Sequence, residues 1–510
     1  MKVAFIYPQW TGGYGVFGHF AKRQSRFPPL NLALLAAITQ QIGYEAVIID
    51  AEAEELEESE LVKRTLNLKP DLIGLTCYSP FFHLNVSVAK ALKDAGCKAP
   101  ICVGGPHITI MKEKILEEYP EFDYLFIGES EETLPKFLDV YQAGGDLTQV
   151  KGIILRKEGR PYIGEPQWVP ATIKLKGDKA KPLGDALDPR YPLDQFPLPA
   201  RNLLPMKMYR MGTKHGRPYF TSIQQMRGCP WHCIFCASGK LNTTRMSTRS
   251  PRSIVDEMKK VITDFPFISH FYIVDDVMTL WESDHILKVC ELILQEGLKI
   301  TFEGSTRANL IKDESVALMA KAGLVRICFG LETTNTQMRE TMRKQVNLDD
   351  YSKANAICNK YGVEAINATM IGLPGETRET VKATLDWLAE SRSITQANFA
   401  IAVPYPGTEF SDMGIQGTHG VELIAKEGDF SKYLRYGSAV TKIGELSPED
   451  LLELQNEAFI NFYSKWWRWK AMFQKHGIMG FTLLGIRIYR AWKGKLLKKF
   501  KPVYNHPKDF

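Results

Sequence analysis

Short apolar runs alternate with amphipathic helical stretches twice along this chain of 510 residues. The first series occupies residues 3–7, 46–50, 72–76, 101–103 and 124–127, with helical runs such as 30–42 and 85–95 between them. The second occupies 219–225, 270–274, 299–303, 326–330, 365–370 and 396–401, with helices such as 251–263 and 348–361. Runs this short, apolar on both faces and spaced by a helix, read as strands of parallel sheets. A parallel connection needs a crossover, and the crossover helices bury both faces. The first series predicts a doubly wound sheet, whose ligand lies beyond the strand carboxyl ends at a switch in strand order. The second predicts a partial (β/α)6 barrel with its working residues at the strand carboxyl ends. The expected division is a first domain over 1–145, a Pro- and Gly-rich linker over 146–214, the barrel over 215–415 and a helical C-terminal extension over 416–510. Within the linker, 152–163 reads as a small β insertion packed on the first sheet, and 196–205 as an extended connector.

The loop after the first barrel strand carries Cys229, Cys233 and Cys236 in the spacing C-x3-C-x2-C. Three thiolates on one short loop can hold three irons of a 4Fe–4S cluster. The remaining iron then stays open to an outside ligand, unlike carrier sites that use four cysteines. A zinc site completed by His232 is an alternative, but His232 adjoins Cys233 and reaches the same ion poorly. Three unrelated buried thiols form a third reading. The other cysteines are scattered and their total of 9 is odd, so no disulfide framework is indicated. The opening residues read as a buried strand rather than a signal peptide, and a reducing, cytoplasmic setting is expected.

Further candidates fall at strand ends. Phe235 directly precedes Cys236, and Asp275-Asp276 ends the second barrel strand. Arg307 follows the third, Gly330-Leu331-Glu332 ends the fourth, and Gly372 follows the fifth. In the first domain the turns Gly104-Gly105-Pro106-His107 and Gly128-Glu129 permit close backbone approach by a large ligand. Each has a plainer reading: loop packing for Phe235, a helix cap or surface pair for the aspartates, a structural ion pair for Arg307, and a turn residue bonding its own loop for His107.

The cysteine spacing followed by these motifs in this order resembles the radical S-adenosylmethionine (SAM) superfamily. The first domain resembles the cobalamin-binding, Rossmann-like domain that precedes the TIM-type radical SAM core in one large subclass. That subclass contains hopanoid methylases and the anaerobic Mg-protoporphyrin IX monomethyl ester cyclase. The resemblance implies a 4Fe–4S cluster on Cys229, Cys233 and Cys236. It implies SAM contacts from Phe235, Asp275, Asp276, Arg307, Glu332 and Gly372. It also implies cobalamin contacts from Gly104, Gly105, His107, Gly128 and Glu129. No Asp-x-His-x-x-Gly cobalt motif is present, although His83 and His107 lie near the expected face. The implied reaction is reductive cleavage of SAM to a 5′-deoxyadenosyl radical, hydrogen abstraction, and C-methylation of an unactivated carbon by methylcobalamin. Ring formation or rearrangement without methyl transfer is the runner-up. A flavodoxin- or ferredoxin-type electron donor is implied as well. A non-catalytic Fe–S or zinc ligand-sensing protein is the reading from another class, against which the ordered SAM motifs argue.

A formal net charge of +6 is mild for this length and does not call for nucleic acid. The charge is uneven, with basic residues from Lys465 through Lys475 to Lys508 far outnumbering acidic ones. Phe459, Phe462, Tyr463, Trp466, Trp467 and Trp469 lie at the head of that region. The apolar stretch at 477–486 is shorter than the roughly 20 residues that span a bilayer. Two readings follow: a lid over the open barrel with its aromatics toward substrate, which is preferred, or an interfacial helix giving peripheral membrane contact. Either points to a large apolar substrate such as a lipid, isoprenoid or tetrapyrrole.

Overall fold

The computed structural model describes residues 1–10, 26–165, 193–211, 218–241, 246–280 and 285–470, with Gly485. Most of the loop expected over 8–18, Pro182, Pro189 and Pro192 of the linker, and the apolar and basic stretch beyond Lys470 lie outside the described residues, Gly485 apart.

The first sheet contains β1 (Lys2–Tyr7), β2 (Glu45–Asp50), β3 (Leu72–Thr76), β4 (Ile101–Gly104) and β5 (Tyr124–Phe126), all parallel. Strand order is β2-β1-β3-β4-β5, so the direction of winding reverses between β1 and β3. Alternate side chains of β1 serve two different cores. Val3 and Phe5 join the helix Leu30–Gln41 on one face, while Ile6 joins Ile49, Ile73 and Ile101 on the other. The predicted insertion is a hairpin, β6 (Ile153–Lys157) and β7 (Arg160–Ile163), added antiparallel to β5. The first domain therefore runs past residue 145 into the expected linker, because β5 otherwise presents an unpaired edge.

The second sheet is β8 (Phe220–Ile223), β11 (His270–Ile273), β12 (Thr301–Thr306), β13 (Leu324–Glu332), β14 (Glu364–Ile371) and β15 (Gln396–Ile401), six parallel strands in sequential order. A short antiparallel pair, β9 (Met226–Arg227) with β10 (Ser247–Thr248), branches off after β8. Helices start where their caps dictate. Ser250 accepts from the Ser253 amide ahead of Pro251, and Thr377 accepts from that of Thr380. The barrel stays open between β8 and β15.

The C-terminal region departs from expectation. It begins with a hairpin, β16 (Val421–Leu423) with β17 (Thr441–Ile443), rather than a helix. The helix Pro448–Tyr463 follows, capped by Ser447 as its sequence predicts. It lies along the open side of the barrel at β15, but its aromatics do not line the cavity. Phe459 and Phe462 pack edge-on against the buried Phe399 of β15, and the Tyr463 hydroxyl donates to the Ala397 carbonyl at 2.8 Å. Gln455 Nε2 donates to the Phe399 carbonyl at 2.8 Å. These side chains occupy the unpaired edge of β15, which needs covering more than the mouth does. Beyond them Arg468, fully buried, donates to the carbonyls of Leu388 and Ala389 in the last turn of the helix Arg378–Glu390 and of Ser391 and Ile394 just past it. It thereby satisfies carbonyls that a helix end leaves orphaned.

Candidate functional site

The carboxyl ends of β1, β3, β4 and β5 and, from the barrel, those of β8 and β11 border one cavity of ≈ 650 Å³, whose lining does not include the three thiols, Arg307, Glu332 or Gly372. Gly104, Gly105, Gly128 and Glu129 line it from the first domain, and Gly228, Asp275 and Asp276 from the second. Tyr78, in the loop after β3, lines the same space with 42% of its surface exposed. The wall continues down the β1 face past Phe5 and is closed by Phe196 and Pro197 of the linker.

The glycines differ in what they permit. Gly128 has φ +76, and nothing lies within 4 Å of where a Cβ would sit, so it is open to the cavity. Gly105 has φ +104, and a Cβ there would meet the Cys77 carbonyl oxygen at 2.8 Å; its need is internal, against β3. His107 does not line the cavity. Its ring is buried between Phe82 and Phe430, and its Nδ1 lies 2.9 Å from Ser79 Oγ. Burial pulls its pKa down to about 4, so the imidazole is neutral. The ring thus bonds the loop after β3 rather than its own turn, and its Nε2 is buried without a partner.

The thiol loop springs from the β9–β10 neck. Asp275, fully buried, pins that neck by accepting from the amides of Gln225 at 3.0 Å and Met226 at 3.2 Å. Its second oxygen, Oδ2, is buried without a partner, and burial raises the carboxyl to about 8. Asp276 faces the other way, is exposed, and accepts from Ser238 Oγ at 2.6 Å in the loop's own helix, Ser238–Leu241. The two aspartates thus do different work. Farther along, the Ile234 amide donates to the Met342 carbonyl at 3.4 Å and the Phe410 amide to the Ile234 carbonyl at 3.1 Å. Phe235 is half-buried against the main core.

Cys229 and Cys233 are partly buried and Cys236 is exposed; none of the nine cysteines forms a disulfide. Burial first, then the fields of Asp276, Cys236 and Cys233, push the Cys229 thiol up to about 12, partly offset by the Trp231 amide. The three sulfurs are therefore close enough to oppose one another's ionisation, which bound metal would reverse. Among the described residues no group of three His, Cys, Asp or Glu side chains is placed as it would be around a metal ion.

Arg307 makes no carboxylate contact among the described residues. Its guanidinium lies 4.3 Å from the Trp231 ring of the thiol loop, it donates to the Gln345 carbonyl at 3.1 Å, and its Nε is buried without a partner. Glu332 ends β13 at φ +66, after a register shift against β14. It pairs with Lys344 at 3.2 Å, both nearly buried. Gly372, at φ +94, is crowded by Leu451 of the C-terminal helix, 3.2 Å from where a Cβ would sit. Close helix packing accounts for that glycine. Sequence reasoning missed Lys344 and also Arg227, which reaches from β9 to Glu131 at 2.6 Å and Glu129 at 3.2 Å. Neither lies in a readable motif. The one available signal was that Arg227 opens the run leading to Cys229.

Fold and site together define an α/β protein whose main cavity lies between a doubly wound sheet and an open β/α barrel bearing a thiol loop. Residues 223–388 match the Radical SAM superfamily and residues 19–138 match the B12 binding domain. The chain is thus a radical SAM enzyme with an N-terminal B12-binding domain, of the methyltransferase-like kind. It is 28% identical to an uncharacterized methyltransferase of Pyrococcus horikoshii, over 86% of this chain and 88% of that protein. It is 26% identical to the anaerobic magnesium-protoporphyrin IX monomethyl ester cyclase of Rubrivivax gelatinosus, over 91% of this chain and 77% of the cyclase. Hopanoid C-3 and C-2 methylases are further relatives. The fold is shared with the radical SAM methyltransferase TsrM from Kitasatospora setae, solved with cobalamin and a 4Fe–4S cluster bound. The TM-score is 0.69 at 18% identity, covering 91% of this chain and 88% of that one.

Proposed function

We propose that this enzyme C-methylates an unactivated carbon of a large apolar substrate, using a 4Fe–4S cluster on Cys229, Cys233 and Cys236, SAM, and cobalamin. The observation that carries the reading is the cavity bordered by the strand ends of the first sheet and by β8 and β11 of the barrel, from which the thiol loop departs. When bound, the cluster supplies the electron that cleaves SAM, and cobalamin carries the methyl group. The chain's own residues do the placing. Gly128 leaves room for a flat macrocycle, Glu332 offers a carboxylate to paired hydroxyls, and Asp275 and Asp276 hold the thiol loop. The buried, apolar walls of β1 and the linker limit water at the reacting carbon. A low-potential flavodoxin- or ferredoxin-type protein delivers the electron near the exposed Cys236. No helix among the described residues is long and apolar enough to cross a membrane. Peripheral membrane contact would fall to the tail outside them.

Similarity to the cyclase supports a second reading, ring formation without methyl transfer. Isotope decides between them. Incubation of the reduced, cobalamin-loaded enzyme with methyl-labelled SAM and candidate lipids or tetrapyrroles is expected to move label into cobalamin and then into product. Product formation with no label in either would establish the cyclase reading instead.

A further inference from the structure

Lys344 is a buried cation that the reading above leaves unused. It lies in the segment directly beneath the thiol loop. Two residues before it, the Met342 carbonyl accepts from the Ile234 amide, next to Cys233. One residue after it, the Gln345 carbonyl accepts from Arg307, whose guanidinium lies over Trp231 of the same loop. Lys344 Nζ is 3.2 Å from Glu332 Oε1, and side-chain exposure is 8% for the lysine and 9% for the glutamate. The Tyr351 hydroxyl donates to the Gly330 carbonyl at 2.6 Å and braces the same strand end. The ammonium is thus fixed at the end of β13, on a segment whose backbone bonds the thiol loop.

We propose that Lys344 is a positioning residue for the cluster's charge: its fixed ammonium, balanced by Glu332, sets how readily the cluster accepts its electron. The inference rests on the cluster reading of the three cysteines. The electrostatics follow from charge counting. A 4Fe–4S core held by three thiolates gains one negative charge on reduction, and a cation held nearby in a low-dielectric setting stabilises the reduced form. Glu332 opposes this, so the pair acts as a two-sided setting rather than a single bias. Occupation of Glu332 by the paired hydroxyls of SAM would weaken its opposition and leave the ammonium freer to act on the cluster.

The test is an anaerobic redox titration of the reconstituted enzyme without SAM, followed by electron paramagnetic resonance of the reduced cluster. Lys344→Met is expected to lower the reduced-to-oxidised ratio at a given potential about tenfold, which is about 59 mV for a one-electron couple. Glu332→Gln is expected to raise it, Lys344→Arg to leave it near wild type, and the Lys344→Met/Glu332→Gln pair to fall between the single variants. If Lys344→Met does not retain a cluster, the direction and size of the Glu332→Gln change decide. Ratios within about twofold of wild type in both single variants would overturn the proposal. Absence of any cluster in the wild-type protein would instead overturn the reading on which it rests.

Discussion

Arg227→Met is the perturbation that most directly tests how the two domains are joined. Arg227 sits on β9, two residues before Cys229, and spans to Glu131 at 2.6 Å and Glu129 at 3.2 Å beyond β5. Side-chain exposures are 14% for the arginine, 9% for Glu131 and 28% for Glu129. Removing one partner of a buried ion pair costs about 3–5 kcal/mol, because a charge is left unpaired. Glu129 is partly in water and returns some of that, so the net loss is about 2–4 kcal/mol. The loss falls on the contact between thiol loop and first sheet rather than on either core. Cobalamin affinity is therefore expected to drop at least tenfold, since about 1.4 kcal/mol is a factor of ten. Equilibrium binding of hydroxocobalamin, followed by absorbance on the whole protein, reads this out. The combined variant Arg227→Met/Glu129→Gln/Glu131→Gln leaves no stranded carboxylate and is expected to recover part of the affinity. Losses that simply add across the three positions, or an unchanged affinity in Arg227→Met, would refute the reasoning.

Gly407, at φ +78, would place a Cβ 2.8 Å from Ile110 Cδ1 of the helix Pro106–Met111. Gly407→Ala is expected to lower thermal stability, with partial rescue by Ile110→Ala in a scanning-calorimetry comparison. Arg468→Met strands the carbonyls that the guanidinium serves; a loss of about 3–5 kcal/mol is expected in denaturant unfolding, with Arg468→Lys recovering little. Glu376, buried, accepts from the Gly372 and Leu373 amides, yet burial raises its pKa from 4.5 to about 7. Between those values the folded state keeps a proton that the unfolded state has released, so stability falls as pH rises through the window, by roughly 3 kcal/mol at most. Glu376→Gln is expected to flatten that slope in unfolding measured from pH 4 to 8, and an unchanged slope would contradict it.

The strands were legible because both sheets are parallel and buried on both faces, so each strand is a compact apolar run. Residues 72–76 and 396–401 coincide with β3 and β15. The helix expected from 85 begins at Phe82, since the turn Ser79–Phe81 feeds straight into it. β13 extends to Glu332, beyond the expected 330, through a register shift and a left-handed residue that no periodicity reveals. The thiol loop was legible because its chemistry is local in sequence. Lys344, Arg227 and Arg468 were not, because their partners lie 12 residues or more away in sequence, or are backbone carbonyls that leave no pattern. The tail aromatics misled for a related reason. An amphipathic aromatic helix closing the open side looks the same whether its rings face a cavity or a strand edge, and only the unpaired edge of β15 decides.

The central claim is that one crevice serves both cofactors. The most direct measurement is metal analysis of anaerobically reconstituted, cobalamin-supplied enzyme, coupled to an assay of 5′-deoxyadenosine after addition of SAM and a strong reductant. The account predicts about four irons and one cobalt per chain, with deoxyadenosine formed and all of it lost in Cys233→Ala. Deoxyadenosine formed by protein that retains iron but no cobalt would contradict it, leaving the first sheet without the cofactor its strand ends are proposed to hold.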